Sequence, residues 1–210
     1  MNPTTTEHWQ RVYTDKAPTA VSWYQEVPRL SLELIRAALG NKTRIIDVGG
    51  GASTVVDHLV DAPGVEMCVL DISERALAAA KARLGEKTQR VRWIAADATG
   101  PLSELPDASI DIWHDRAMLH FLTAPDAQAA YARNIARIVR PGGTAIIAGF
   151  APDGPTKCSG LEVCRHDGAS VLALLNRTGP NWQLKGEQRE THTTPWGATQ
   201  LFAYTVLQRL

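Results

Sequence analysis

Arg44-Ile45-Ile46-Asp47-Val48 is a short apolar run, and Gly49-Gly50-Gly51 closes it. A run of this length bounded by glycine reads as a buried strand. Ser53–Val60 then has helical spacing at Val55, Val56, Leu59 and Val60. The pattern then repeats. Val65–Leu70 is a second apolar run that ends at Asp71, and Ser73 is a good N-cap for an alanine-rich helix, Glu74–Leu84, which Gly85 stops. Val91–Ala95 is a third strand ending near Asp97, Ile110–Trp113 a fourth and Thr144–Phe150 a fifth. Before the fifth, a helix starts near Thr123 with Tyr131, Ile135, Ile138 and Val139 on its apolar face, and Pro141-Gly142-Gly143 ends it. Strands alternating with helices predict a parallel α/β sheet.

Two segments flank this core. Before it lie two helices, about Thr5–Asp15 and Arg29–Leu39, with Ser22-Trp23-Tyr24-Gln25 between them. After it come a Pro/Gly-rich loop to Gly160, a helix over Ala169–Thr178, and two stretches, Trp182–Glu190 and Leu201–Leu207, that read as an antiparallel hairpin closing one sheet edge. The expected division is residues 1–43 as a helical cap and residues 44–210 as the α/β domain. The chain has 210 residues, enough for one domain, and 44% hydrophobic with 21% charged residues excludes wholesale disorder or a disulfide-stapled scaffold. Basic and acidic residues number 22 each, which does not advertise nucleic acid or an anionic membrane as partner. No apolar run approaches the roughly 20 residues that span a bilayer. Three sparse cysteines (Cys68, Cys158 and Cys164) and no basic-then-apolar leader lead us to expect a cytoplasmic protein with reduced thiols. Cys158 and Cys164 with His166 and His192 lack zinc-site spacing, so no metal is expected.

The chemistry sits at the strand ends. Asp47, Asp71 and Asp97 close three successive strands and define one crevice beyond the carboxyl edge of the sheet. A carboxylate at the second position suits ribose hydroxyls, and one at the third an adenine edge. Each alone could simply cap a helix; three in register with a glycine loop are harder to dismiss. A dinucleotide fingerprint wants a third glycine where Thr54 stands, and an acid before the glycines would repel pyrophosphate. It suits a ligand with an ammonium group.

Ile46–Gly51, Leu70-Asp71-Ile72-Ser73, Ala96-Asp97-Ala98 and Arg140-Pro141-Gly142-Gly143-Thr144 together resemble the class I S-adenosylmethionine (SAM)-dependent methyltransferases, in family order and spacing. The resemblance implies a single-domain, doubly wound, Rossmann-like sheet of seven strands, mostly parallel with an antiparallel C-terminal hairpin, under an N-terminal helical lid. It implies SAM as cofactor, S-adenosylhomocysteine as product, Gly49 and Gly51 at the methionine end, Asp71 and Ile72 at the ribose, and Asp97 with Ala98 at the adenine. Asp47 and Asp115 complete the expected cofactor contacts, with Tyr13, Trp23 and Tyr24 where the resembling family lays a lid over the cofactor, aromatic faces that suit a sulfonium. Ala52-Ser53 departs from members that carry a further glycine there.

Methyl transfer needs an unprotonated nucleophile in line with the methyl and a dry site. The segment Trp113–Phe121 carries no Asn/Asp-Pro-Pro-Tyr pattern of nucleobase or amide methyltransferases. Its Asp115-Arg116-Ala117 run looks like that of thiopurine methyltransferase and relatives acting on soft chalcogen nucleophiles. Asp115, Arg116 and His114 are therefore the catalytic candidates, with His120 a further possible base; an Asp115–Arg116 ion pair bracing the loop, and packing roles for both histidines, are the plainer alternatives. The loop 151–161 and the Thr194–Gly197 turn are similar to those of the citrate synthase lysine methyltransferase group. Cys158 reads as a small packing residue, and Trp9 as a residue that packs the first helix on the core. The expected function is methyl transfer to a small acceptor such as a thiol, with protein lysine methylation, or a non-catalytic cofactor-binding module, as alternatives.

Overall fold

The computed structural model describes residues 3–210, with side chains from Thr5 onward; residues 1–2 of the expected lid lie outside the described residues. Helices α1 (Pro3–Asp15) and α2 (Arg29–Ala37) lead into β1 (Thr43–Val48), α3 (Val55–Leu59), β2 (Val65–Asp71), α4 (Glu74–Leu84), β3 (Val91–Ala95), β4 (Ile110–Arg116), α5 (Pro125–Ile138) and β5 (Val139–Phe150). A two-residue ribbon, β6 (Lys157–Cys158) with β7 (Leu161–Glu162), precedes α6 (Gly168–Asn176), β8 (Trp182–Thr193) and β9 (Thr199–Arg209). The main sheet runs β3-β2-β1-β4-β5-β9-β8, so the chain reverses its direction of winding between β1 and β4. Strands β1 to β5 are parallel, and β9 lies antiparallel between β5 and β8.

Alternation along the strands builds two cores, one on each face. Ile46, Val48, Leu70, Trp113 and Ile147 pack with Tyr131 and Ile135 of α5 and with α6. Ile45, Val69, Ile112, Ile146 and Phe150 pack with α2, α3 and α4. Each fully buried aliphatic or aromatic side chain contributes about 1.5–3 kcal/mol.

Three expectations need correction. The fourth strand does not stop at Trp113 but runs to Arg116, because Asp47↔His114 and Val48↔Asp115 continue its pairing with β1. The segment Pro141–Gly143 does not separate helix from strand. Helix α5 ends at Ile138, and β5 begins at Val139 with a register shift opposite Ile110 and Ile112. Helix α3 begins at Val55, not Ser53, whose hydroxyl instead accepts the Val55 N–H at 3.1 Å. The Ser73 N-cap and the Gly85 stop are as the sequence indicates, the latter with φ of 58°.

Candidate active site

Strand β1 delivers the glycine loop. Gly49 has φ of 70°, and a Cβ there would sit 2.9 Å from the Met118 Cβ. A Cβ on Gly51 would lie 2.5 Å from that of Ala76 and 2.7 Å from Asp71 Oδ2. The glycines thus let three elements converge. Asp71 takes the Gly51 N–H on Oδ2 at 2.9 Å and the Ser73 N–H on Oδ1 at 2.8 Å. Burial pushes its carboxyl up to about 6, against the pull of those donors. Each oxygen retains a lone pair for a ligand hydroxyl. Asp97 Oδ1 accepts from the backbone and hydroxyl of Thr99 at 2.8 and 2.7 Å.

Beside these acids lies a cavity of about 360 Å³. One wall is Gly49, Asp71, Ile72, Asp97, Ala98 and Thr99. The other is aromatic: Trp9, Tyr13, Trp23 and Phe121. Trp9 stands edge-on to both Trp23 (5.7 Å between ring centres) and Phe121 (4.8 Å), and Tyr13 edge-on to Trp23 (6.3 Å). Trp9 is therefore a wall residue, not merely packing for its helix. Burial holds the Tyr13 phenol well above its ordinary range. Helix α1 is fastened over the site by Gln10, whose Oε1 accepts from the Ser73 hydroxyl (3.1 Å) and the Arg75 N–H (3.3 Å) at the start of α4.

The three catalytic candidates part company because adjacent strand residues face opposite sides of the sheet. Asp115 points towards α5. Its carboxylate accepts from Met118 N (2.8 Å), Leu119 N (3.0 Å) and the Tyr131 hydroxyl (2.5 Å), and burial pushes it up to about 6. It lines no part of the cavity; it shapes the turn that does. That turn carries Ala117 at φ 72° and presses Met118 on Gly49. His114 points the other way, into the second core, with Nδ1 2.7 Å from Asp47 Oδ1 and Nε2 3.0 Å from Ser31 Oγ. It too lies off the cavity. Arg116 does reach the wall, yet it does not pair with Asp115: it donates to Tyr204 Oη (2.8 Å), the Trp23 carbonyl (3.0 Å) and Glu190 Oε2 (3.4 Å). His120 is fully buried between Phe121 and Phe150, and that burial pushes its imidazole down to about 3. Cys158 is buried 3.9 Å from the Ser22 hydroxyl, and burial raises its thiol to about 11. Met118, Phe121 and Leu122, which were not among the individual residues expected at the site, line the cavity. Their signal was position, directly beyond the carboxyl end of β4. Among the described residues, no group of three or more His, Cys, Asp or Glu is placed to hold a metal ion, and no helix is long and apolar enough to cross a membrane.

A family model described as a methyltransferase domain matches residues 45–143, the stretch that builds the acidic wall and most of the turn after β4. By that match, residues 45–143 are a methyltransferase domain. Solved structures share the fold around it. A Burkholderia thailandensis 1,6-didemethyltoxoflavin-N1-methyltransferase, with bound 1,6-didemethyltoxoflavin and S-adenosylhomocysteine, has a TM-score of 0.68 at 22% identity, over 98% of this chain and 84% of that one. A structure from work on conversion of a disulfide bond into a thioacetal group in echinomycin biosynthesis has a TM-score of 0.77 at 19% identity, over 97% and 92%. The eEF1A lysine and N-terminal methyltransferase of Mus musculus is 23% identical over 191 residues, 85% of this chain and 27% of that protein. The chain spans about a quarter of that relative's length. Trp9, Tyr13 and Trp23 precede the matched stretch, so three of the four aromatic wall residues come from the segment before it, while Phe121 lies within it.

Proposed function

We propose that the chain moves the methyl group of SAM to a small acceptor, with a thiolate or related chalcogen anion as the preferred nucleophile. The residues present suit the cofactor. Asp71 would take the ribose hydroxyls beside Ile72, Asp97 and Ala98 the adenine side, and the backbone of Gly49 and Gly51 the methionine end. Asp47 Oδ2 is buried and has no hydrogen-bond partner, beside a recess shared with Gly49, Ser53 and Thr54. An ammonium group would relieve that unmet acceptor. Bound there, SAM supplies an electrophilic methyl group on a sulfonium.

The observation that carries the acceptor class is the state of the ionisable groups around the cavity. Asp71 and Asp97 hold backbone, Arg116 donates to three neighbours, and Tyr13 is held in its neutral form. Among the described lining residues, none is placed to strip a proton from the acceptor. The nucleophile must then bring its own lone pair. A thiol with an ordinary pKa of about 8.5 is a few per cent ionised at neutral pH, and its rate would follow its own ionisation. The aromatic rings keep water from the reacting centre. The mouse relative favours a second reading, methylation of protein lysine or an N-terminus; a lysine ammonium near pKa 10.4 offers far less lone pair to a wall without a base. Radiolabelled SAM with small thiols and chalcogen anions in one panel and lysate proteins in the other separates the two. Turnover of small thiols is expected. Label on a single protein with no small-molecule turnover would transfer the reading to the protein acceptor.

A further inference from the structure

The hairpin β8–β9 lies beyond the matched methyltransferase domain, yet two of its side chains are wired into the site. Tyr204 on β9 and Glu190 on β8 face the same nest. Tyr204 Oη accepts from Arg116 Nε at 2.8 Å and donates to Glu190 Oε2 at 3.2 Å. Glu190 Oε2 is 3.4 Å from Arg116 Nη2, and its Oε1 accepts from Gln25 Nε2 at 3.1 Å. Arg116 and Glu190 are 9% and 16% exposed, so this pair is largely removed from water. The guanidinium also lies over the Phe202 ring, 4.4 Å from its centre.

From this nest two connections run back to the cofactor loop. One is through the core: Tyr204 Oη lies 3.4 Å from Ser31 Oγ, Ser31 Oγ lies 3.0 Å from His114 Nε2, and His114 Nδ1 lies 2.7 Å from Asp47. The other runs along the strap 22–25. His192 Nε2 is 2.7 Å from the Ser22 carbonyl, Arg116 donates to the Trp23 carbonyl, and the Thr54 hydroxyl donates to the Gln25 carbonyl at 2.8 Å. The strap carries Trp23, a wall of the cavity. Glu190 and Tyr204 touch neither the cavity nor the recess beside Asp47.

We infer that Glu190 and Tyr204 are positioning residues for methyl transfer: through Arg116 and Gln25 they hold the Trp23 strap against the cofactor site, and through Ser31 and His114 they tie that hold to Asp47. The inference rests on the SAM-binding reading above. A charge placed between Arg116, Tyr204 and Gln25 leaves the strap little choice of position, since a largely buried cation without its counter-charge is costly.

The test needs no acceptor. S-adenosylhomocysteine is titrated by calorimetry and by tryptophan fluorescence against the full chain, Glu190→Gln, Tyr204→Phe, the double variant, and Trp23→Phe. Binding by the unaltered chain establishes the cofactor reading separately; absence of binding there overturns both. We expect each single variant to raise the dissociation constant about tenfold, and the double variant to do no worse than the poorer single one, as members of one network do. The fluorescence change in Glu190→Gln should shrink to that of Trp23→Phe, a signature that general loosening would not single out. Glu190→Gln keeps the side-chain shape; should it fail to fold, Tyr204→Phe, which keeps the ring, decides alone. Unchanged affinity and fluorescence in the folded variants, or losses that multiply in the double variant, would overturn the inference.

Discussion

Asp71 holds the loop and faces the cavity with the same carboxylate. In the proposed site, ribose hydroxyls donate to it most strongly when it is ionised, and in the free protein burial places its pKa at about 6. Binding therefore favours the deprotonated form. S-adenosylhomocysteine affinity should be flat above about pH 7 and fall as pH drops through 6, approaching tenfold per unit. Calorimetry from pH 5 to 8 reads this directly, and Asp71→Asn should abolish the slope. Asp71→Ala should weaken binding by roughly 1.5–3 kcal/mol, the worth of a hydrogen bond to a charged group. Asp115 answers to a different measurement. It serves Met118, Leu119 and Tyr131, so Asp115→Asn should cost about 2 kcal/mol of stability, a fall in Tm of about 4–8 °C in a scan. Arg116→Ala should cost stability, about 3 kcal/mol, since it strands Glu190 and the Trp23 carbonyl. The positions of Asp47, Asp71 and Asp97 were legible because strand ends mark themselves by glycine and acid. The roles of His114 and Asp115 were not. They depend on where β4 stops, and three further residues paired with β5 turn the pair from a loop into opposite faces of a strand.

Helix α1, the segment expected to act as a lid, takes its position from contacts no sequence pattern announces. Tyr13, Trp23 and Tyr24 were the aromatic residues expected over the crevice; Tyr13 and Trp23 line the cavity, Tyr24 lines the recess beside Asp47 instead, and Trp9, expected to pack its helix, lines the cavity too. The fastening by Gln10 was invisible, because one side-chain oxygen meeting the start of α4 leaves no periodicity. Removing residues 1–20 takes away Trp9, Tyr13 and Gln10 but leaves the strap anchors. The truncated chain should keep its thermal transition and bind S-adenosylhomocysteine much more weakly. Equal binding by the truncated chain in calorimetry would show that α1 is not the cover. The Pro/Gly-rich loop after β5 is similarly more ordered than its composition suggests. It contains the β6–β7 ribbon, and Cys158 packs inward from it, as a small apolar residue does.

At the scale of the whole molecule, the alternation of apolar residues sufficed for the parallel core, while the order of the last two strands needed more than that. A hairpin at a sheet edge can attach by either arm. Here β9 pairs with β5 from Thr144↔Gln208 to Phe150↔Phe202, and β8 is the outer strand. Side-chain burial decides it: Phe202, Tyr204 and Leu207 are fully buried, whereas most of β8 is not. This arrangement has a consequence for synthesis on the ribosome. Strand β9 is made after both strands it must lie between. Until it arrives, β5 presents an open edge with Ile146, Ile147 and Phe150 beside it, and β8 has nothing to pair with. An exposed edge of that kind recruits other chains. A chain stopped at Gly197 should accumulate in the pellet of expressing cells, and co-production of a separate peptide carrying residues 199–210 should shift part of it to the supernatant. Nascent chains would share that hazard for as long as translation pauses between the two arms of the hairpin.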